Sequence, residues 1–459
     1  MNKNTNQADL NRREFLKGSS FSSLMALMGG IAIQADDKPK AGDAPTNYKT
    51  TGAPVKCALI GCGAWGREIL KTLAILPNAP MVAVCDTYGV SLRRAKGSAP
   101  QAESHEDYRK VLEKKDVQAV IVATPTHLHR EIVLAALQAG KHVYCEAPLA
   151  ATVEDARAIA NAARASLKVH FQSGLQMRSD PQRQFLLQFI RSGAMGKTIK
   201  ARAQWHRKQS WRYTSASPER ETDLNWRLQK ATSPGLIGEV GVHHLDTACS
   251  FINTLPISVT GFGGIMRWND GREVPDTIQA VFEFPEGIRL SYEATLANSF
   301  DADYEVYYGT DSAIMVRDNK AWMFKEVDAP LLGWEVYAQK DAFYKETGIA
   351  LIADATKSVK AASSGGEEAA YAESPLRHAL QSFVVNSNAH SSGVEDFSAN
   401  FDVNDAAALK EYLESINKVK QPHAGYKEGY ETTVAVLKAN EAILKGQKIE
   451  FRKEWFSLS

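Results

Sequence analysis

Gly61-Cys62-Gly63-Ala64-Trp65-Gly66 sets three glycines at the spacing G-x-G-x-x-G. An apolar, β-rich run, Val55 to Ile60, leads into it, and a helical pattern with Ile69, Leu70, Leu73 and Leu76 on one face leads out. Strand, glycine turn and helix in that order can hold the pyrophosphate of a dinucleotide. Gly61 permits the tight turn, Gly63 lets the backbone approach the phosphates, and Gly66 lets helix and strand pack closely. The helix start, at Ala64 and Trp65, offers free N–H groups and the positive end of the helix dipole. A second apolar strand, Met81 to Cys85, ends in Asp86. A carboxylate there accepts hydrogen bonds from both ribose hydroxyls and repels a 2′-phosphate, so the sequence predicts NAD, with NADP less favoured. The plain alternative is a βαβ turn with no ligand.

A second set could move protons. Glu239 and His243 lie four apart and share a face if helical. A carboxylate near an imidazole raises its pKa and fixes its orientation, which suits general acid–base work of roughly 10²–10⁴-fold. A helix-capping structural histidine is the alternative. The spacing of Glu239, His243 and Asp246 also leaves a metal reading open, although no metal is expected. A third set is aromatic and polar: Trp205-His206-Arg207, Trp211-Arg212-Tyr213 and Asn225-Trp226-Arg227. Sugar sites set aromatic faces against C–H patches and fixed polar groups against hydroxyls. Trp205, His206, Trp226 and Arg227 are therefore candidate substrate residues, with a packed inter-domain surface as the alternative.

These residues need a frame. After Asp86 come helical stretches near Ser91 to Lys96 and from Tyr108, then the buried strand Val117–Ala123. Thr124-Pro125-Thr126-His127-Leu128-His129 follows it, and then a helix over 130–140. Strand His142–Cys145, turn Glu146–Leu149, helix 153–166 and strand Val169–Gln172 complete the alternation, which predicts a doubly wound parallel sheet over 53–173. Ligands in such sheets sit beyond the carboxyl ends of the strands. That rule gathers Gly61–Gly66, Asp86, Thr124, Pro125, His127, His129, Glu146 and Gln176 around one crevice. Residues 174–459 form the second domain. Thr198–Arg207, Val259–Trp268, Thr277–Phe284, Arg289–Ala294, Tyr304–Tyr308 and Ala313–Val316 alternate as antiparallel strands, with one face covered by helices. The segment near 336–430 is less typical: Ser363–Glu368 reads as a loop, and Ser374–Asn386 as a helix whose Leu376, Leu380, Phe383 and Val384 make a core stripe. Tyr430–Leu444 is an amphipathic helix and Ile449–Phe451 a closing strand.

Taken together, these motifs resemble the Gfo/Idh/MocA family of sugar dehydrogenases. The pieces that carry the likeness are Gly61–Gly66, Ala123–His129, Gly140–Leu149, Gly174-Leu175-Gln176-Met177-Arg178 and Gly238–Asp246. The resemblance implies an α/β chain: an N-terminal Rossmann doubly wound parallel sheet plus a C-terminal α/β domain with an open, mostly antiparallel sheet. That sheet often joins subunits in the family, so a homo-oligomer is expected. The likeness also implies that an acid and a histidine at Glu239 and His243 contact substrate, that Arg178 lies near it, and that Glu146 lies by the nicotinamide ribose. One position departs. The family has Glu-Lys-Pro where this chain has Glu146-Ala147-Pro148, and that lysine normally helps the hydroxyl proton leave. With Ala147 in its place, His243 is expected to be the principal proton carrier.

The N-terminus points outward from the cytoplasm. Asn11-Arg12-Arg13-Glu14-Phe15-Leu16-Lys17 resembles the twin-arginine export motif, and Gly18–Gln34 is an uncharged stretch too short and weakly apolar for a membrane span. Residues 1–35 read as a signal peptide and 36–52 as a linker, so a periplasmic or otherwise exported protein and a partnership with the twin-arginine machinery are expected. With 54 basic and 53 acidic residues and a net charge of +1, nothing points to nucleic acid. Five cysteines without a C-x-x-C pair suggest neither a disulfide framework nor a zinc site. The sequence therefore predicts an exported NAD-dependent enzyme acting on a sugar or glycoside by hydride transfer at a ring carbinol. Outside the cytoplasm no nicotinamide pool is expected to restore a lost cofactor, so tightly bound NAD and redox-neutral glycoside cleavage fit. A plain sugar dehydrogenase, a two-substrate oxidoreductase and a non-catalytic sugar- or nucleotide-binding relative are the alternatives.

Overall fold

Near-continuous apolar strands require a sheet covered on both faces, and the first half of the chain builds one. A computed structural model describes residues 53–458 apart from 318–319, 334, 336–339, 344–345, 351–372 and 417–419. The expected signal peptide, the expected linker and the expected Ser363–Glu368 loop lie outside the described residues. The first half runs β1 (Cys57–Ile60), α1 (Ala64–Ala74), β2 (Met81–Cys85), α2 (Gly89–Ala95), β3 (Glu103–His105), α3 (Tyr108–Glu113), β4 (Ala119–Val122), α4 (His129–Gln138), β5 (His142–Cys145), α5 (Val153–Ala165) and β6 (Phe171–Ser173). The sheet order is β3-β2-β1-β4-β5-β6 and every pair is parallel. This is the doubly wound sheet expected. Its order reverses direction at β1, which opens a crevice beyond the carboxyl ends of β1 and β4.

The second half adds α6 (Pro181–Arg191), β7 (Thr198–His206), α7 (Pro218–Leu224), α8 (Val242–Ile252), β8 (Ser258–Gly264), β9 (Thr277–Glu283), β10 (Arg289–Thr295), β11 (Asp303–Gly309), β12 (Ser312–Arg317) and β13 (Lys320–Lys325). Then come β14 (Lys340–Phe343), β15 (Glu346–Ala350), α9 (Pro375–Asn400), α10 (Ala406–Ile416), α11 (Tyr426–Lys445) and β16 (Ile449–Glu450). The strands order as β14-β15-β13-β12-β11-β7-β10-β9-β8-β16, antiparallel except for the parallel pair β7/β10. One expected strand is too long. Val259–Trp268 stops at Gly264, because the Asp276 carboxylate takes the N–H groups of Met266, Arg267 and Trp268 at 2.9–3.0 Å and draws them out of the ladder.

The end of the chain returns to the first sheet. Leu376, Ala379, Leu380, Phe383 and Val384 of α9 are buried against Leu59, Ile69, Leu70, Ile121 and Tyr144. The stripe on this helix is thus core, and the helix runs 26 residues, well past Asn386. α11 bridges the two layers. Its Tyr430 and Val434 join the core of the first sheet, while Ala435, Val436, Ala439, Ala442 and Ile443 join that of the second.

Candidate active site

Each glycine of the turn has its own steric reason. Gly61 has φ +101, and a Cβ there would sit 2.5 Å from the Ala123 carbonyl oxygen. A Cβ on Gly66 would collide with the Gly61 carbonyl, whereas one on Gly63 would meet nothing within 4 Å. Gly63 therefore faces open space, and it is the N-cap of α1 with no side chain capping it. Gly63, Ala64 and Trp65 are exposed there. The free N–H groups of that turn are left for an anion. Asp86 is bound close by: Oδ2 accepts the Cys62 N–H and Oδ1 the Tyr88 N–H, both at 2.8 Å. Those bonds fix the carboxylate at the end of β2 beside the glycine turn.

Across the crevice, the loop after β4 and the turn after β5 present polar atoms that the protein itself does not satisfy. Thr124 Oγ1, His127 Nδ1 and Glu146 Oε1 are enclosed and without a hydrogen-bond partner, and so is His243 Nδ1 in the first turn of α8. Buried polar atoms are rarely left unpaired, and several gathered beyond the strand ends can exchange hydrogen bonds with a ligand. Burial pushes the Glu146 carboxyl up to about 7, against hydrogen bonds from Trp65 and the Ala147 N–H that hold it down. Gly174 leaves it room, since a Cβ there would lie 2.6 Å from Glu146 Oε2. Gln176, just after Gly174, begins a short 3₁₀ turn at the same end of the sheet. Pro125 starts the turn whose carbonyl takes the Leu128 N–H at 2.9 Å.

Glu239 and His243 do not work as a pair in the way the spacing suggests. Residues Ile237–Gly241 form a π-helical turn that leads into α8. Glu239 instead accepts the Arg227 Nε–H at 2.5 Å and the Thr126 hydroxyl at 3.4 Å. The expected rise in the His243 pKa is therefore corrected. Burial pulls His243 down to about 4, the neighbouring His244 adds to this, and Asp303 opposes it. His243 is a neutral imidazole near neutral pH, with Nδ1 able to accept a proton when Nε2 carries the hydrogen.

Three other candidates have different duties. His129 is 1% exposed, with Nε2 on the Thr124 carbonyl at 3.0 Å and Nδ1 on that of Leu149 at 3.2 Å. It joins the two loops that frame the crevice and cannot touch a cofactor. Arg178 is held in a fork by the buried Asp246, with both bonds at 2.8 Å, so it ties the segment after β6 to α8 instead of facing a sugar. Thr432 of α11 also binds that carboxylate at 3.1 Å, so Asp246 is fully engaged, and among the described residues no cluster of three His, Cys, Asp or Glu could hold a metal. His206 alternates with Trp205 on β7, so it points to the opposite face, where Nδ1 meets the Phe300 carbonyl at 3.0 Å. Trp205 stays on the helix-covered face, 6.3 Å from Trp211 between ring centroids.

Trp226 and Arg227 do reach the crevice. The Trp226 ring lies 6.0 Å from that of His127, and the Arg227 guanidinium lies 4.3 Å from the Trp226 ring centre. Tyr88 and Arg220 were not visible as site residues in the sequence. The Arg220 guanidinium sits 4.4 Å from the centre of the Tyr88 ring. Only the position of Tyr88, two beyond Asp86, gave a hint.

The residues present fit NAD: an open Gly63 cradle on an uncapped helix start, a ribose carboxylate at Asp86, and unpaired polar atoms beyond β4 and β5. Comparison with known proteins agrees. Residues 55–174 match a family described as oxidoreductase family, NAD-binding Rossmann fold, and residues 184–314 match the GFO/IDH/MocA C-terminal domain. A levoglucosan dehydrogenase of Pseudarthrobacter phenanthrenivorans is 30% identical over 46% of this chain and 58% of its own length. The match thus spans little more than half of that relative. A 2,7-anhydro-N-acetylneuraminate hydratase of Escherichia coli is 26% identical over 57% of this chain and 67% of its own. An oxidoreductase domain protein from Kribbella flavida has the same fold, with a TM-score of 0.65 at 21% identity over 87% of this chain and 100% of the other.

Proposed function

The chain belongs to the Gfo/Idh/MocA family of NAD-binding oxidoreductases, and on that premise we propose that it transfers a hydride between NAD and a ring carbinol of a sugar or glycoside. The observation that carries this reading is the set of unpaired, enclosed polar atoms, Thr124 Oγ1, His127 Nδ1, Glu146 Oε1 and His243 Nδ1, beyond the strands that flank the glycine turn. Bound there, NAD supplies the hydride chemistry. Gly61, Gly63, Ala64, Trp65, Gly66 and Asp86 would hold it, with Thr124, Pro125, His127, Glu146 and Gln176 along the far side. His243 Nδ1 would take the hydroxyl proton, because Ala147 brings no amine to that place. Glu239 would keep Arg227 and Trp226 in position against the substrate. Trp226 offers an aromatic face and Arg227 a charged donor, the two features a sugar ring requires.

The proposal extends to redox-neutral use. A transient ketone on the ring acidifies the neighbouring C–H, so a glycosidic substituent can leave by elimination. Water then adds, and hydride return closes the cycle with no net change in NAD. The export motif at Arg12 and Arg13 supports this extension, since an exported enzyme gains from a cofactor that is never spent. The name of the levoglucosan dehydrogenase relative favours a second reading, a plain sugar dehydrogenase, and Ala147 favours a non-catalytic binder. Purified protein assayed on aryl glycosides and free sugars separates them. Phenol release without added NAD supports the glycosidase, net NADH formation supports the dehydrogenase, and binding without turnover supports the third.

A further inference from the structure

β2 and β4 flank β1 in the first sheet, so the Gly61–Gly66 turn lies between the loop after β2 and the loop after β4. The long connection between β7 and α8 belongs to the second domain, yet it touches both of those loops. On the β2 side, Arg220 stacks over Tyr88 at 4.4 Å. Tyr88 is tied in turn to the ribose acid, through its N–H to Asp86 Oδ1. On the β4 side, Trp226 meets His127, and Arg227 reaches Thr126 through Glu239. The short segment from Arg220 to Arg227 therefore spans the dinucleotide turn from its adenosine flank to the loop after β4.

Hydrogen bonds hold this bridge in place. Asn225 exchanges hydrogen bonds with the Tyr213 backbone at 2.8 and 2.9 Å. Lower down, the Lys230 N–H is fixed to Glu273 at 2.9 Å, which anchors the connection to the second domain. Arg220 Nε is enclosed and has no partner, an unpaired donor beside the place where an anionic dinucleotide would lie.

We propose that Tyr88 and Arg220 form a clasp over the adenosine half of the bound dinucleotide, so that the cofactor leaves only when this cross-domain pair parts. The proposal rests on the NAD-binding reading above. A planar guanidinium on an aromatic face is a directional contact that strengthens as water is excluded. Holding one loop of the first domain to an arm of the second converts cofactor release into a domain-opening event. A cofactor so held stays from one turnover to the next.

The test uses the full chain loaded with NADH. Release is followed by the loss of bound NADH fluorescence after mixing with excess NAD, and retention by the NAD content after gel filtration. Arg220→Ala and Tyr88→Ala should each speed release by roughly tenfold, the scale of one desolvated cation–π contact. The double variant should be little faster than either single one, because both remove the same contact. If Arg220→Ala does not fold, Tyr88→Leu keeps the apolar bulk without the π face and should show the same acceleration. Release within about twofold of wild type in these variants, with NAD still bound, overturns the clasp and leaves the NAD reading standing. Wild-type protein that binds no NAD(H) at all overturns both.

Discussion

His243 carries the proposed proton step. It is a neutral imidazole with an enclosed, unpaired Nδ1 and no hydrogen-bonded carboxylate, which suits an acceptor and not a stored acid. His243→Asn should lower turnover by roughly two orders of magnitude, with NAD content unchanged because the glycine turn and Asp86 are untouched. Steady-state rates alongside bound-NAD measurements decide this. Ala147→Lys in the same background should not restore full activity. Glu146 gives a prediction in pH. Its pKa rises from 4.5 unfolded to about 7 folded, so folding favours the protonated acid. Its contribution to stability is full below pH 4.5 and is lost as the pH rises through about 7. Glu146→Gln should therefore gain on wild type with rising pH across that window. Denaturant titrations at matched NAD content, run at both ends of the window, read the difference. Asp86→Ala should weaken NAD binding by roughly 1–3 kcal/mol, the cost of lost charged hydrogen bonds, and calorimetric titration measures it.

The elements explain what could be read in advance. β1, β4 and β5 are buried on every residue, and a run of apolar residues shows this in any sequence. The crevice followed from strand order alone, so the glycine turn, Asp86, Thr124, Glu146 and His127 came together as expected. What failed was set by distant partners. Arg227 and Thr126 take the Glu239 carboxylate, so the Glu239–His243 pairing that the spacing suggests does not form. Asp246 claims Arg178 from 68 positions away in the chain, and no local pattern records that. His206 was misplaced because a cluster of adjacent aromatic and polar residues on a strand divides between two faces. The docking of α9 onto the first sheet was equally hidden, since a core stripe does not name the core it joins. Phe383 is fully buried there, with its ring 5.6 Å from that of Tyr144. Phe383→Ala should destabilise the protein by roughly 3–5 kcal/mol, as measured by chemical denaturation.

At the scale of the molecule, α11 packs into the cores of both sheets, and the arm from Arg220 to Arg227 touches the loops after β2 and β4. A dinucleotide bound at the glycine turn would have a segment of the second domain beside it. That agrees with the proposal that NAD stays bound from one turnover to the next. Replacing Arg12 and Arg13 by Lys should leave the protein in the cytoplasm, and fractionation that finds it still exported would refute the twin-arginine proposal. The most direct test of the central claim is the near-ultraviolet absorbance of the NAD-loaded protein mixed with sugars and aryl glycosides, without added cofactor. At least one of these substrates should produce the absorbance of reduced nicotinamide on the protein, and this signal should be much diminished in His243→Asn. No reduction of bound NAD by any sugar or glycoside, in protein shown to carry NAD, would contradict it.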